Sequence, residues 1–274
     1  MVRASPTGGA NIFGLAGLFC AAARPSVGAS ERTIPMQPIF AVGDIHGQLE
    51  ELHKVLDHIA SDADADAPVV FTGDFVDRGA NSAAVIDTLM QGQTEGKPWT
   101  CLMGNHDRYL LRYLENPAYQ DPETSRPLYY TDPPIGGDKT LASYGVDTDP
   151  RRWPEDIHKD ALAAVPQAHR DWISGLPRIH ETDEHIFVHA GLRPGVPLEE
   201  QAEDDLVWIR EPFLSDTRDY GRLVVHGHTA LQMPELYDNR LNLDGGAGYG
   251  RPLHAVLLLG RDPLLVGAFG RSSL

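Results

Sequence analysis

Strand-like apolar runs that alternate with helix-periodic segments constrain the fold of this chain more than any other feature. The runs cover residues 39–43, 68–71 and 99–103. Segments 48–61 and 81–90 lie between them and carry apolar residues at helical spacing. Strands separated by helices in this way pair in parallel, because each helix returns the chain to the start of the next strand. The sequence therefore predicts a parallel sheet built on βαβ units.

The second half of the chain is organised differently. Its strand-like runs are short and lie at residues 186–188, 223–225, 241–243, 255–259 and 264–269. Short runs separated by Gly-rich turns are typical of a more antiparallel arrangement. A two-layer β-sandwich flanked by helices accommodates both halves, so we predict a mixed α/β fold forming one domain over residues 36–274.

An irregular insert is predicted inside this domain, at about residues 116–137. The segment is rich in proline and contains Tyr119, Tyr129 and Tyr130, but no apolar periodicity. A loop of this length within a compact domain is usually a functional lid or a disordered segment. Its tyrosines could contact a substrate or could simply anchor the loop.

Residues 1–35 precede the first strand and are predicted to be a disordered extension, with Met36 as an alternative start. Residues 12–23 form a short apolar run, and residues 27–29 resemble a signal-peptidase site. The run is too short to span a bilayer. Cys20 and Cys101 make no disulfide framework or metal spacing. We therefore expect a cytoplasmic protein, or a periplasmic one if residues 1–29 are a signal peptide.

The charge balance limits the classes of partner. The chain has 23 Lys and Arg against 39 Asp and Glu, a formal net charge of −16. Non-specific nucleic-acid binding depends on a basic face, so this composition argues against it. An acidic surface is suited to concentrating cations, although it also serves solubility. We expect neither a nucleic-acid nor a membrane partner.

Five short polar motifs begin where an apolar run stops. In chain order they are Gly43-Asp44-Ile45-His46-Gly47, Gly73-Asp74 with Asp77-Arg78-Gly79, Gly104-Asn105-His106-Asp107, Val188-His189-Ala190-Gly191 and Gly227-His228-Thr229. The ends of the strands would bring these motifs to one edge of the sheet, where open α/β sheets bind ligands. Imidazole, carboxylate and amide groups suit Mn²⁺, Fe or Zn²⁺. Two such ions about 3.5–4 Å apart can clamp a phosphoryl group and activate water.

The five motifs resemble those of the calcineurin-like metallophosphoesterases, and specifically the phosphoprotein phosphatase family. The resemblance covers residues 36–274. Residues 242–247 with Pro252 and Leu253, the segment 206–213 and the pair Gly136-Gly137 resemble the bacterial serine/threonine protein phosphatase branch. Five motifs in this order are a far more specific signal than any one of them.

The resemblance implies a centre with two divalent metal ions, which we expect to be Mn²⁺, with Fe or Zn²⁺ as alternatives. By this likeness Asp44 and His46 hold one ion and Asp74 bridges both. The remaining implied ligands, all of the second ion, are Asn105, His189 and His228. His226 lies two residues before a ligand and is predicted to support the site at most.

The same resemblance implies four catalytic side chains around a metal-bridging hydroxide that attacks phosphorus in line. His106 would be the general acid that protonates the leaving group. Asp77 would orient His106 and favour its protonated form. Arg78 and Arg210 would hold the phosphate oxygens. Arg210 could instead be a surface residue beside Glu211.

Three functions are compatible with these residues. The first is a serine/threonine, or tyrosine, protein phosphatase acting on a phosphoprotein or a small phosphoester. The second is a symmetrical bis(5'-nucleosyl)-tetraphosphatase, whose branch usually departs from the motif at the position of Asp77, so the residue here favours the first. The third is a non-catalytic metal-binding module, which the presence of all six ligand positions disfavours.

Overall fold

The computed structural model describes residues 37–274, so the extension predicted over residues 1–35 lies outside the described residues. Within residues 37–274 the chain forms eleven strands in two sheets. The strands are β1 (Ile39–Val42), β2 (Val69–Phe71), β3 (Trp99–Cys101), β4 (Ile179–Glu181), β5 (His185–Val188), β6 (Leu223–His226), β7 (Glu235–Leu236), β8 (Arg240–Asn242), β9 (Ala255–Leu259), β10 (Asp262–Gly267) and β11 (Gly270–Ser273). The sheet orders are β11-β10-β9-β1-β2-β3 and β4-β5-β6-β8-β7.

Seven α-helices accompany these strands in the described residues. They are α1 (Leu49–Ala60), α2 (Ser82–Thr94), α3 (Asn105–Glu115), α4 (Gly137–Ser143), α5 (Pro154–Ala164), α6 (Gln167–Ser174) and α7 (Glu203–Trp208). Helix α1 buries Leu52, Val55 and Ile59, the stripe that its sequence periodicity predicts. Among residues 37–274 no helix has the length and apolar composition that crossing a membrane requires.

Alternation along β1 shows how the two layers are built. Ile39 and Ala41 belong to the core between the sheets, whereas Phe40 and Val42 belong to the core beneath the helices. A strand buried on both faces reads as a continuous apolar run, which is why β1 was recognisable in the sequence. The predicted mixed α/β sandwich with flanking helices is confirmed, and β1, β2 and β3 pair in parallel.

The expected antiparallel character of the second half is only partly correct. Strands β5, β6 and β8 at the centre of the second sheet pair in parallel. Antiparallel pairs occur at the edges of that sheet, through β4 and β7, and along β9, β10 and β11. Parallel neighbours need a crossover connection, and the segment between β5 and β6 supplies one that contains α7. Spacing between short strands did not distinguish such a crossover from a hairpin.

The ends of five strands carry the five motifs to one place. Backbone hydrogen bonds join the loops directly: His46 N donates to Asp74 O at 2.8 Å, and Gly79 N donates to His46 O at 2.9 Å. From the second sheet, Gly227 N donates to His189 O at 2.8 Å. The loops of each sheet are therefore fixed relative to one another by the backbone, before any side chain contributes.

Candidate active site

Unfavourable backbone conformations concentrate at the predicted site. Within residues 37–274, five residues other than glycine have φ in the left-handed region, and all five were predicted site residues. They are His46 (φ 49°), Asp74 (φ 55°), Asp77 (φ 72°), Arg78 (φ 65°) and His228 (φ 67°). Such conformations cost about 1–3 kcal/mol each and persist only where the surrounding structure imposes them. The fold thus orients these side chains at a cost in the free energy of unfolding.

Asp74 lies at the centre of the arrangement, with 1% of its surface exposed. Its Oδ2 is 3.6 Å from His46 Nε2, and its Oδ1 is 3.5 Å from His189 Nε2. The backbone N–H of His106 donates to Oδ1 at 2.9 Å. The two carboxylate oxygens therefore face different histidines, which is the arrangement that a shared ligand of two cations needs.

Two groups of side chains could each hold a metal ion. The ligand atoms of His46, Asp74 and His106 lie within 4.8 Å of one another, as do those of Asp74, His189 and His228. Asp44, predicted as a ligand of the first ion, is absent from the first group, and His106 takes its place there.

Asp44 nevertheless lies among the predicted ligands. Its two carboxylate oxygens each lie 3.1 Å from the backbone N–H of His228, which donates to them. This contact joins the first motif of the chain to the last one. The side chain is 2% exposed, so a charge on it would have to be balanced inside the site rather than by solvent.

The second group fits a cation because acceptor atoms face one another. His189 Nδ1 donates to the carbonyl oxygen of Thr72 at 2.9 Å, so the proton of the neutral ring is on Nδ1. Burial lowers the pKa of His189 to about 3, which leaves Nε2 unprotonated. That nitrogen lies 2.9 Å from Asn105 Oδ1, and His228 Nδ1 lies 2.9 Å from the same oxygen. A divalent ion that accepted the lone pairs of His189 Nε2 and Asn105 Oδ1 would remove the repulsion between these two atoms.

The first group already holds a positive charge. His46 Nδ1 donates to Val76 O at 2.8 Å, so His46 Nε2 presents a lone pair. Arg78 Nη1 lies 2.7 Å from that nitrogen and Nη2 lies 2.9 Å from His106 Nε2. The guanidinium thus satisfies two imidazole lone pairs, and the same lone pairs are suited to a metal ion.

Buried carboxylates give the site a strong need for cations. Burial raises the pKa of Asp44 and of Asp74 well above the ordinary range, and the charges of Asp244 and Asp107 respectively raise them further. Ionising such a cluster without a counter-ion is costly. Asp244 was not assigned a role from the sequence, although it lies in the quoted segment 242–247 and lines the site cavity.

Asp107 is a second functional residue that sequence reasoning left without a role. It accepts backbone N–H groups of Gly104 at 2.9 Å and Asp74 at 2.8 Å through Oδ2, and of Phe75 at 2.9 Å through Oδ1. A Cβ on Gly104 would lie 2.1 Å from Asp74 Oδ1, so this loop also requires glycine. The spacing Gly104-x-x-Asp107 is a helix-capping pattern that could have identified Asp107 as the residue that positions Asp74.

His106 and Asp77 lie in contact, as the sequence predicts. His106 Nδ1 lies 2.7 Å from Asp77 Oδ2, so the carboxylate does orient the ring. Burial and the neighbouring Arg78 guanidinium hold the pKa of His106 well below its usual range, which favours the neutral ring instead of the imidazolium. Burial raises the pKa of Asp77 to about 7. To act as a general acid, His106 must therefore first receive a proton on Nε2.

Asp77 is itself held by two buried hydroxyl groups. Tyr130 Oη donates to Asp77 Oδ1 at 2.6 Å and Thr140 Oγ1 donates to the same oxygen at 2.8 Å. Both bonds lower the pKa of Asp77 against the effect of burial. The insert and α4 thereby contribute to the position of His106, a contact that no local sequence pattern indicated.

Tyr130→Phe is expected to lower kcat by about tenfold through loss of this support. It should also lower the free energy of unfolding by about 1–3 kcal/mol, because Asp77 keeps its burial and loses a donor. Steady-state kinetics and urea unfolding would measure both effects. Tyr129→Phe, at the exposed neighbouring position, is the matched control and should change neither quantity. Equal behaviour of the two variants would contradict the role given to Tyr130.

A cavity of about 420 Å³ opens above the two ligand groups. Asp74, Asn105 and His106 form its base, and the Arg78 and Arg210 side chains line it. Arg210 was predicted from the sequence only as a candidate phosphate ligand, and it lies on the same cavity as Arg78. Two guanidinium groups beside a buried acidic and imidazole cluster are suited to hold an anion.

Residues 116–136 contain no helix or strand, and they are anchored at a buried carboxylate. Asp121 accepts hydrogen bonds from Tyr119 Oη at 3.1 Å and Trp208 Nε1 at 3.2 Å. Its Oδ2 also lies 3.5 Å from the Arg108 guanidinium. Tyr119 and Tyr130 therefore anchor the segment, one of the two roles that the sequence left open, whereas Tyr129 is exposed.

His226 contacts side chains outside the two ligand groups. Its ring packs edge-on against Phe213, with ring centroids 5.1 Å apart, and Arg240 Nη1 lies 3.3 Å from Nε2. Its proximity to His228 in sequence therefore reflects the packing of β6.

Comparison with known proteins agrees with this geometry. The model of the calcineurin-like phosphoesterase family matches residues 37–232, well over half of the chain. A symmetrical bis(5'-nucleosyl)-tetraphosphatase of Nitrosomonas europaea is 27% identical over 203 residues, covering 70% of this chain and 61% of that protein. An asymmetrical bis(5'-nucleosyl)-tetraphosphatase of Anoxybacillus flavithermus is 23% identical over 237 residues, covering 78% of this chain and 88% of that protein.

The chain spans about two fifths to three fifths of the length of the symmetrical relatives that it matches. Other symmetrical enzymes, such as that of Dechloromonas aromatica, are 30% identical but matched over only 44% of their length. The crystal structure of a candidate diadenosine tetraphosphatase superposes with a TM-score of 0.59 at 22% identity, covering 86% of this chain and 96% of that one. At that identity the superposition shows a shared fold.

Proposed function

The chain belongs to the calcineurin-like phosphoesterase family, and on that premise we propose that it is a hydrolase dependent on two divalent cations whose substrates are dinucleoside tetraphosphates. One observation carries the hydrolase assignment: the side chains of five strand-end motifs converge on Asp74, whose two oxygens face the two groups of possible ligands. The substrate class rests on the names of the relatives, since several that match this chain are bis(5'-nucleosyl)-tetraphosphatases.

The chain's own residues would divide the work as follows. Asp74, His189, His228 and Asn105 would hold one cation, and His46, Asp44 and Asp74 the other; we propose Mn²⁺ for both. When bound, these ions supply Lewis acidity and lower the pKa of water.

The remaining site residues would bind the substrate and move a proton. The guanidinium groups of Arg78 and Arg210 would hold phosphate oxygens through charge-assisted hydrogen bonds. His106, oriented by Asp77, would deliver a proton to the leaving oxygen after accepting one on Nε2.

A second candidate is supported by Asp77. From the sequence this residue favoured a protein phosphatase, because the dinucleotide branch usually departs at this position. Asp77 lies 2.7 Å from His106, the candidate proton donor, which supports a role in orienting it. A phosphate monoester with a poor leaving group benefits most from such a proton donor. The names of the relatives favour a dinucleoside tetraphosphate over a phosphoprotein as the substrate, and the phosphoprotein stays the second candidate.

A direct comparison of substrates tests both assignments. With Mn²⁺ supplied, we expect kcat/KM for diadenosine tetraphosphate to exceed that for each member of a phosphoserine, phosphothreonine and phosphotyrosine peptide panel by at least about tenfold. Exhaustive chelation should abolish both activities, and added Mn²⁺ should restore them. Preference for a phosphopeptide would favour the second candidate, and turnover that survives chelation would contradict the metal-dependent mechanism altogether.

A further inference from the structure

A second cavity adjoins the one above the ligand groups. We call it the outer cavity; its volume is about 410 Å³, and Pro133, Pro134, Lys139 and Tyr249 lie in its wall. Arg78 and Tyr249 line both cavities and so form the partition between them. An extended substrate with its phosphate at Arg78 would therefore reach the outer cavity without leaving the protein surface.

The loop that carries Tyr249 is pressed against the site. A Cβ on Gly248 would lie 2.4 Å from His46 Cδ2 and 3.1 Å from Arg78 Cδ, so only glycine permits this approach. The backbone bond from Tyr249 N to Gly246 O, at 2.9 Å, closes the turn. This turn fixes the backbone of Tyr249, and 63% of the residue's surface is exposed. The ring is therefore accessible to a ligand that enters the outer cavity.

Another part of the wall of the outer cavity is attached to the same arginine. Gly136 O accepts the backbone N–H of Arg78 at 3.2 Å, which ties the segment after Pro133 and Pro134 to the phosphate-binding residue. The Arg78 guanidinium carbon lies 4.8 Å from the centroid of the Tyr249 ring. A guanidinium, an aromatic ring and two proline rings therefore line one cavity.

From these lining groups we propose that the outer cavity binds a nucleoside of the substrate, with its base stacked on Tyr249. Arg78 would hold a phosphate of the same nucleotide, and the rings of Pro133 and Pro134 would cover the apolar face of the base. Lys139 and Asp138 also line this cavity and lie 3.3 Å apart as an ion pair, so together they add no net charge to it. The inference rests on the proposed function, because it requires a substrate that joins phosphate to a flat heteroaromatic group.

The test compares Tyr249→Ala and Tyr249→Phe in the Mn²⁺-loaded full chain. Stacking of one base on an aromatic side chain corresponds to about tenfold to a hundredfold in binding. We expect Tyr249→Ala to lower kcat/KM for diadenosine tetraphosphate by that factor more than it lowers kcat/KM for p-nitrophenyl phosphate, which has no base. Tyr249→Phe keeps the ring and should retain most of the preference. Trp153→Ala, at another exposed aromatic residue, is the control for effects unrelated to the site.

A binding measurement separates this inference from the proposed function. Saturation-transfer NMR with adenosine 5'-monophosphate should show contact at the adenine H2 and H8 protons in the wild type and in Tyr249→Phe, but not in Tyr249→Ala. If diadenosine tetraphosphate is not a substrate and this signal is present, the function fails while the nucleoside site stands. The site would be overturned if Tyr249→Ala lowered kcat/KM for diadenosine tetraphosphate and p-nitrophenyl phosphate equally, or if the adenine signal did not depend on residue 249. It would also be overturned if kcat/KM for a phosphopeptide depended on Tyr249 as strongly as that for the dinucleotide.

Discussion

Asp74→Asn is expected to lower kcat/KM by at least about a thousandfold and to reduce the bound Mn²⁺ from two ions per chain to fewer than one. The carboxylate oxygens of Asp74 face His46 on one side and His189 on the other, so one substitution weakens both groups. An amide retains an oxygen for the backbone N–H of His106 but loses the negative charge that keeps two dications together. Metal analysis after dialysis and kinetics in excess Mn²⁺ would measure the two effects.

The same variant should fold at least as well as the wild type when metal is absent. The pKa of Asp74 is raised by burial and by Asp107, so its ionised form destabilises the metal-free fold. The unfolded chain ionises at the ordinary carboxyl pKa, so the cost begins as the pH rises above that pKa and is complete at the folded-state pKa. At neutral pH an amide should therefore raise the metal-free melting temperature. Asparagine also tolerates the left-handed φ of 55° better than most residues.

Asp183→Asn, an exposed residue, is the matched control for the Asp74 variant and should leave activity, metal content and melting temperature unchanged. Loss of activity in Asp74→Asn with two tightly bound Mn²⁺ ions retained would contradict the shared position assigned to Asp74. A lower melting temperature in the metal-free variant would contradict the electrostatic argument alone, so the two outcomes can be told apart.

The features that the sequence predicted well are the buried strands and the polar motifs at their ends. Runs buried on both faces, such as β1, are recognisable because no polar residue interrupts them, and the polar motif that follows is thereby placed at the sheet edge. This placement, together with the resemblance of the motifs to those of the metallophosphoesterases, named the chain's metal-ligand candidates before any coordinates. The ring nitrogens that face the centre are fixed by bonds to carbonyl oxygens, such as His189 to Thr72, and these depend on tertiary contacts.

What the sequence missed depends on contacts between distant segments. Tyr130 donates to Asp77 from the irregular insert, and no periodic pattern in that segment predicts this contact. Helix α5 was also missed, since it buries only Ile157 and Ala161 and so has a narrow apolar face. The parallel pairing of β5 with β6 depends on a crossover through α7, a helix of one to two turns that is too short for periodicity to reveal.

The charge state of His106 shows the same limitation in electrostatic form. A neighbouring carboxylate predicts a protonated ring, and Asp77 is indeed in contact. Burial and Arg78 outweigh it, and both are properties of the folded environment rather than of the motif. His106 consequently has two possible functions: proton donor to the leaving group, or ligand alongside His46 and Asp74, with which the geometry groups it.

His106→Asn distinguishes these two functions through the leaving group. If His106 is the general acid, turnover of an alkyl phosphate should fall by about a hundredfold to ten-thousandfold, because an alkoxide cannot depart unprotonated. Turnover of p-nitrophenyl phosphate, whose leaving group needs little help, should fall by less than about tenfold. The bound Mn²⁺ should remain at the wild-type level. A plot of log kcat against leaving-group pKa would therefore be steeper for the variant than for the wild type.

If His106 is instead a metal ligand, His106→Asn should lower the turnover of every ester by a similar factor and should reduce the bound Mn²⁺. His53→Asn, an exposed histidine of α1, is the matched control and should alter neither the slope nor the metal content. Unchanged turnover of an alkyl phosphate with full metal content would exclude both functions. The neutral His106 ring must gain a proton on Nε2 before it can donate one. The acid function therefore also requires that bound phosphate offset the lowering of the His106 pKa by Arg78, because an anion there competes for the guanidinium.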